Sequence, residues 1–199
     1  MRVFGLTGGS GTGKTTVLRV LSDFGAQIID CDKLYHQLLQ ENEQLLAEIR
    51  ERFPMAFEDG CLNRKQLGNI VFNDGAALQD LNAIAHKYVC AAVDALLTRY
   101  RAEGADIVAI EAIALVESGL SKRCDVVIAT VAKKEERVRR IIKREGISEA
   151  YATARIDSQK SDAFFVEHSD YVLESKFARK EEFMAYVSAF MKERLEEGK

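Results

Sequence analysis

The string Gly8-Gly9-Ser10-Gly11-Thr12-Gly13-Lys14-Thr15 constrains this chain more than any other segment. It satisfies G-x-x-x-x-G-K-[ST], the phosphate-binding loop, and it has the flanks that motif requires. The apolar run Val3-Phe4-Gly5-Leu6 precedes it and Thr16-Val17-Leu18-Arg19-Val20-Leu21 follows. A buried strand, a glycine turn and a helix start are therefore written in order. The residue types follow from the chemistry. Glycines let backbone N–H groups turn inward onto phosphate oxygens, and the helix N-terminus adds partial positive charge. Lys14 can reach the β- and γ-phosphates, and the Thr15 hydroxyl can ligate Mg²⁺. Gly9, Ser10, Gly11, Thr12, Gly13, Lys14, Thr15 and Thr16 are the expected triphosphate site.

The rest of the chain places strands and helices in alternation. Strands are expected over 2–7, 26–30, 105–110, 125–131 and 170–173. Helices are expected over 14–24, over 33–53 with an interruption near Gln40-Glu41-Asn42, and over 64–72 with Asn63 as N-cap. After the turn signal Asn73-Asp74-Gly75, helical spacing resumes over 76–84 and 87–101. Further helices are expected over 133–145 and 148–159, broken at Gly146, and over 180–197. This alternation implies an α/β fold with a parallel sheet covered by helices on both faces. Ligands then bind beyond the carboxyl ends of the strands. That rule singles out Thr7–Lys14, Asp30–Asp32, Glu111–Glu117 and the residues after Val131.

At those strand ends sit candidate functional groups. Asp32 in Asp30-Cys31-Asp32 can orient a substrate hydroxyl, take its proton or hold Mg²⁺ through water; an aspartate there also serves as a helix N-cap. Glu111 follows Ile107-Val108-Ala109-Ile110, the usual place for a carboxylate that contacts the nucleotide's metal. Residues 133–144 carry seven cations, Lys133, Lys134, Arg137, Arg139, Arg140, Lys143 and Arg144. A solvated face paired with Glu135, Glu136 and Glu145 would account for them, but a helix that follows directly from a sheet edge over the P-loop favours a lid that neutralises a transferring phosphoryl group. Cys31 reads as a small filler, and the stripe Val187, Phe190, Met191 and Leu195 as core or interface packing.

Composition narrows the classes. A chain of 199 residues with net charge −3 suits one domain and carries no general signal for nucleic acid or a membrane surface. No apolar stretch reaches the roughly 18 residues of a membrane span. Cys31, Cys61, Cys90 and Cys124 are scattered without a C-x-x-C pair, which points away from zinc and disulfides and toward a reducing, cytoplasmic setting. Neither D-x-x-G nor N-K-x-D occurs, so a switch GTPase is excluded. A small P-loop kinase remains.

Several ordered segments then make a resemblance specific. Phe4-Gly5-Leu6-Thr7-Gly8-Gly9, Ile29-Asp30-Cys31-Asp32, Leu62-Asn63-Arg64-Lys65-Gln66-Leu67-Gly68, Ile70-Val71-Phe72-Asn73-Asp74, Val116-Glu117-Ser118-Gly119-Leu120 and Arg144-Glu145-Gly146 are similar, in order, to segments of the dephospho-CoA kinases. Arg155 and Gln159 match that family's downstream Arg…Gln spacing. The resemblance implies a P-loop NTPase fold across 1–199, with a helical acceptor subdomain near 62–103 and a lid near 133–159. It implies ATP and Mg²⁺ as cofactors and dephospho-CoA as the small-molecule substrate, with no nucleic acid or membrane partner, in a monomer or small homo-oligomer. By the same resemblance Asp32 is the catalytic carboxylate, assisted by Lys14 and Arg140. His86, Glu117, Arg144 and Asp32 are on the acceptor side, and Thr15, Asp32 and Glu111 are at the metal. The chain departs from the family at Lys87 and Ile113, where prolines are usual, at Cys90, where an arginine is usual, and at Glu174, where asparagine is common. A kinase for nucleosides or nucleotides is the nearest alternative, and a non-catalytic nucleotide-binding protein a more distant one.

Overall fold

The central strands are unbroken apolar runs because both of their faces are covered. In the computed structural model, which describes residues 1–177 and 179–196, the chain opens with β1 (Arg2–Thr7), α1 (Lys14–Asp23), β2 (Gln27–Asp30), α2 (Cys31–Glu41) and α3 (Glu43–Arg52). It continues through β3 (Phe57–Glu58), β4 (Cys61–Leu62), α4 (Arg64–Phe72), α5 (Gly75–Ala102) and β5 (Ile107–Glu111). It closes with β6 (Val126–Val131), α6 (Lys134–Glu145), α7 (Glu149–Asp157), α8 (Asp162–Glu167), β7 (Tyr171–Glu174) and α9 (Lys180–Glu196). Two compact units result, one from Met1–Ile29 with Tyr100–Lys199 and one from Asp30–Arg99.

The first unit carries a five-stranded sheet in the order β2-β5-β1-β6-β7. β1 pairs in parallel with β5 and β6, and β6 with β7. The chain runs from β1 out to β2, returns to β5 and then crosses β1 to β6 and β7, so the crevice past the carboxyl end of β1 is the topological switch point where α/β sheets hold ligands. Phe4, Leu6, Val17, Leu21, Ile128, Leu173, Val187 and Met191 form the core between sheet, α1 and α9, with Phe190 and Leu195 packed against it. The α9 stripe is thus core. α6 and α7 share a smaller cluster of Val138, Ile141, Ala152 and Ile156. Gly146 ends α6 at φ 68, where the sequence places the break. Burial pushes the Cys124 thiol up to about 12, which keeps it protonated and unreactive at neutral pH.

The second unit is helical, around Leu45, Ile49, Phe53, Leu67, Val71 and Ala77. Its helices begin at side-chain caps: Asp30 accepts from Lys33 N at 3.0 Å, Asn42 from Leu45 N at 2.8 Å and Asn63 from Gln66 N at 3.1 Å. This unit takes in α2 and α3 as well as the helices from 64 onward.

Three features differ from the sequence expectations. The two helices expected over 76–84 and 87–101 are one, α5, of 28 residues. No glycine or proline interrupts it, and Lys87 continues the turn that a proline would break. Lys87 Nζ and Tyr88 Oη instead donate to Glu48 Oε1 at 2.5 and 2.7 Å. The β3–β4 hairpin was not expected; Asp59 (φ 48) and Gly60 (φ 80) form its two-residue turn. Nor was α8, whose six residues are too few for helical periodicity to show.

Candidate active site

The loop that follows β1 is shaped by steric necessity. Gly8 has φ 131, and a Cβ there would fall inside contact distance of the Thr130 carbonyl oxygen, a backbone atom that cannot swing aside. We expect Gly8→Ala to lower stability by about 1–3 kcal/mol through backbone strain, read as a shift in the urea unfolding midpoint. Inside the loop, the Thr12 hydroxyl donates to Gly9 O at 2.8 Å. Its oxygen lies 2.6 Å from Thr130 Oγ1, a hydrogen bond between the two hydroxyls. Both threonines are fully buried.

Lys14 opens α1 and turns its ammonium back into the loop, donating to Gly8 O at 2.9 Å and to Gly9 O at 3.3 Å. Glu111 Oε1 lies 3.5 Å from Lys14 Nζ. The sheet register explains this pair: Leu6 of β1 aligns with Glu111 of β5, so the carboxylate ends its strand beside the start of the loop. Both side chains are only 11% exposed, and the mutual attraction is correspondingly less screened than at a surface.

The outer side of the loop is held by α6 and the residues after it. Arg137, 5% exposed, donates from Nε to Ser10 O at 2.9 Å, from Nη1 to Asp162 Oδ1 at 3.1 Å and from Nη2 to Gln159 Oε1 at 3.2 Å. Burial lowers its pKa, and Asp162 and Asp157 oppose that shift; a guanidinium nevertheless keeps its proton. Arg140 donates to Gly11 O at 3.1 Å, to Ser175 Oγ at 3.0 Å and to Ser175 O at 3.1 Å. Gly9 lies so close to the Arg137 guanidinium that a Cβ there would displace it. Beside the loop a cavity of about 390 Å³ is lined by Gly13, Thr16, Arg140, Lys143, Phe177 and Phe183 among others. The rings of Phe177 and Phe183 stack at 5.9 Å, giving it an apolar wall under a cationic rim.

This site is set within a chain whose likeness to known proteins runs nearly end to end. A family model described as dephospho-CoA kinase matches residues 2–180. The chain belongs to the dephospho-CoA kinase family. A dephospho-CoA kinase of Dehalococcoides mccartyi is 39% identical over 198 residues, covering 98% of this chain and 99% of that protein. The solved dephospho-CoA kinase of Campylobacter jejuni superposes with TM-score 0.69 at 26% identity, over the full length of both chains. A Thermus thermophilus protein of known crystal structure superposes with TM-score 0.79 at 29% identity, over 96% of this chain and 97% of its own. The P-loop kinase fold expected from the sequence is therefore the fold of a dephospho-CoA kinase family member.

The structure of this family member gathers the loop, Lys14, Glu111 and Arg140 in the first unit. Thr15 is exposed on the first turn of α1 and Thr16 is buried behind it. Glu117 is exposed in the turn after β5. Arg144 is exposed and pairs with Glu145 at 2.6 Å. Asp32 and His86 belong to the second unit. Asp30 is the cap of α2, while Asp32 lies exposed in its first turn, two residues past β2. His86 is half-buried on α5. Four residues that shape the site were not among the sequence candidates: Gln159, Asp162, Ser175 and Thr130. Only Gln159 carried any signal, through the family spacing; the others act across 25 or more residues and leave no local pattern.

Proposed function

We propose that this chain transfers the γ-phosphoryl group of ATP to the ribose 3′-hydroxyl of dephospho-CoA, giving CoA and ADP. The observation that carries the reading is the family match over residues 2–180 in a chain whose phosphate loop is formed at the sheet's switch point. In the transfer the acceptor oxygen bonds to Pγ as the bond from Pγ to the β,γ-bridging oxygen breaks. The acceptor proton passes to the Asp32 carboxylate, late, since a largely dissociative transition state needs little early proton removal. Lys14 leaves the carbonyls of Gly8 and Gly9 for the β- and γ-phosphates, where full negative charge replaces two dipoles. Arg140 stands at the loop's outer rim as the cation for the transferring group. The cavity walled by Phe177 and Phe183 suits the donor's nucleoside. His86, Glu117 and Arg144 are assigned to the acceptor, the helices near 62–103 to its binding, and the region near 133–159 to a lid whose closure excludes water.

The donor set fits Mg²⁺. Thr15 and Glu111 offer hydroxyl and carboxylate oxygen, the hard ligands that ion prefers, and Asp32 would join through water. Among the described residues no three His, Cys, Asp or Glu side chains converge as a metal cage. That suits an ion carried mainly by substrate phosphates with one or two protein oxygens. When bound it would neutralise charge shared by the β- and γ-phosphates. Among the described residues no helix is long and apolar enough to cross a membrane. A cytoplasmic monomer or small homo-oligomer, without nucleic-acid partners, is the setting we assign.

Steady-state assay with ATP, Mg²⁺ and dephospho-CoA, run beside nucleoside and nucleotide acceptors, tests the reading. CoA formation at the highest kcat/KM is expected. Brisk transfer to a nucleoside with none to dephospho-CoA refutes it.

A further inference from the structure

Ser10 is half-buried in the phosphate loop, and its N–H, carbonyl and hydroxyl oxygen are each held by a hydrogen bond. Its N–H donates to Gln159 Oε1 at 2.8 Å. Its Oγ accepts from Gln159 Nε2 at 2.8 Å. Its carbonyl accepts from Arg137 Nε. One side chain from the turn between α7 and α8 thus clasps both the main chain and the side chain of a residue 149 positions earlier. The orientation of the Gln159 amide is determined by its neighbours. Ser10 N–H and Arg137 Nη2 are both donors aimed at Oε1; turning the amide over would set its NH₂ against two donors and leave all three without acceptors. Arg137 is anchored in turn by Asp162.

We propose that Gln159 is a positioning residue for the donor nucleotide: it fixes Ser10, and through it the outer half of the phosphate loop, in the shape that receives the triphosphate. The inference rests on the reading that this loop binds ATP. The Ser10 N–H is committed to Gln159 and so stands apart from the loop donors that serve phosphate. Arg137, Gln159 and Asp162 all belong to the α6–α8 segment, so that segment braces the loop at Ser10. The loop's shape is set before the nucleotide arrives, which lowers the ordering cost of binding.

Titrating ATP without any acceptor tests this, using Q159L, S10A and the double variant. Q159L leaves the Ser10 N–H and Arg137 Nη2 without their acceptor, and ATP affinity is expected to fall roughly tenfold. In the assay KM for ATP rises to match, while kcat and KM for dephospho-CoA stay within about twofold. S10A removes only the Nε2 to Oγ bond and produces a smaller loss. The double variant binds ATP as Q159L does, since both substitutions break one clasp. Q159L binding ATP within about twofold of the unmodified chain overturns the inference, as do effects of Q159L and S10A that simply add. S10A alters one hydroxyl and preserves the fold, so its coupling is readable even at reduced stability of Q159L. Since the titration needs no acceptor, a chain that binds ATP without phosphorylating dephospho-CoA would refute the proposed acceptor and leave this result standing.

Discussion

Lys14→Met is expected to lower kcat by about 10²–10³-fold, the usual cost of removing one fixed donor from a developing charge. Methionine keeps most of the aliphatic stem, so the substitution isolates the ammonium. In the resting loop that ammonium is held by two carbonyls and faces Glu111 at 3.5 Å. Those contacts aim it along the floor of the loop, and the triphosphate offers it stronger acceptors in the same place. The expected pattern is a large loss of kcat with a smaller loss of ATP affinity, because backbone N–H groups and the α1 N-terminus still bind phosphate. Single-turnover kinetics with saturating ATP measure it. A kcat within about threefold of the unmodified chain would show that Lys14 does not act on the transferring group.

Asp32→Asn is expected to lower kcat by about 10²–10⁴-fold, the range for loss of a positioned proton acceptor. Asparagine is nearly isosteric, and the α2 cap belongs to Asp30 rather than Asp32, so the helix start survives the change. The separation of these two aspartates makes the experiment clean. Asp30→Asn should change stability little and activity little, since asparagine caps as well as aspartate. ATP affinity in Asp32→Asn should remain within about twofold. A kcat within about twofold would remove Asp32 from the catalytic role.

The parts of the fold that were legible in the sequence are those set by contacts close along the chain. The strand, loop and helix around Gly8–Thr15 could be read because the motif, its glycines and its flanks occupy one continuous run. The cap at Asn63 was legible for the same reason, as it acts within three residues, whereas the sequence left the α2 cap open between Asp30 and Asp32 and the fold chose Asp30. The hairpin turn at Asp59-Gly60 was written in the chain as a turn dipeptide, but strands of two residues gave it no periodic flank. The division of α5 at His86 failed because neither residue at the supposed break opposes a helix. Its unbroken course rests on intrinsic continuity and on the bonds of Lys87 and Tyr88 to Glu48, some 40 residues away.

The cationic helix shows the boundary most clearly. Seven positive residues over 133–144 suggested a lid, and sequence could not rank its arginines. In the folded chain Arg137 is buried and braces Ser10, Arg140 braces Gly11 and Ser175, and Arg144 faces solvent beside Glu145. That sorting depends on which face of α6 meets the loop, a question of packing across more than 120 residues. The sequence by itself determined that a triphosphate loop opens this chain and that a kinase of one family surrounds it. Only the tertiary structure decided that Glu111 stands beside Lys14 and that Gln159 and Arg137 hold the loop's outer rim. Strand register and the docking of α6 set those distances, and both are products of long-range packing that no local run of residues encodes.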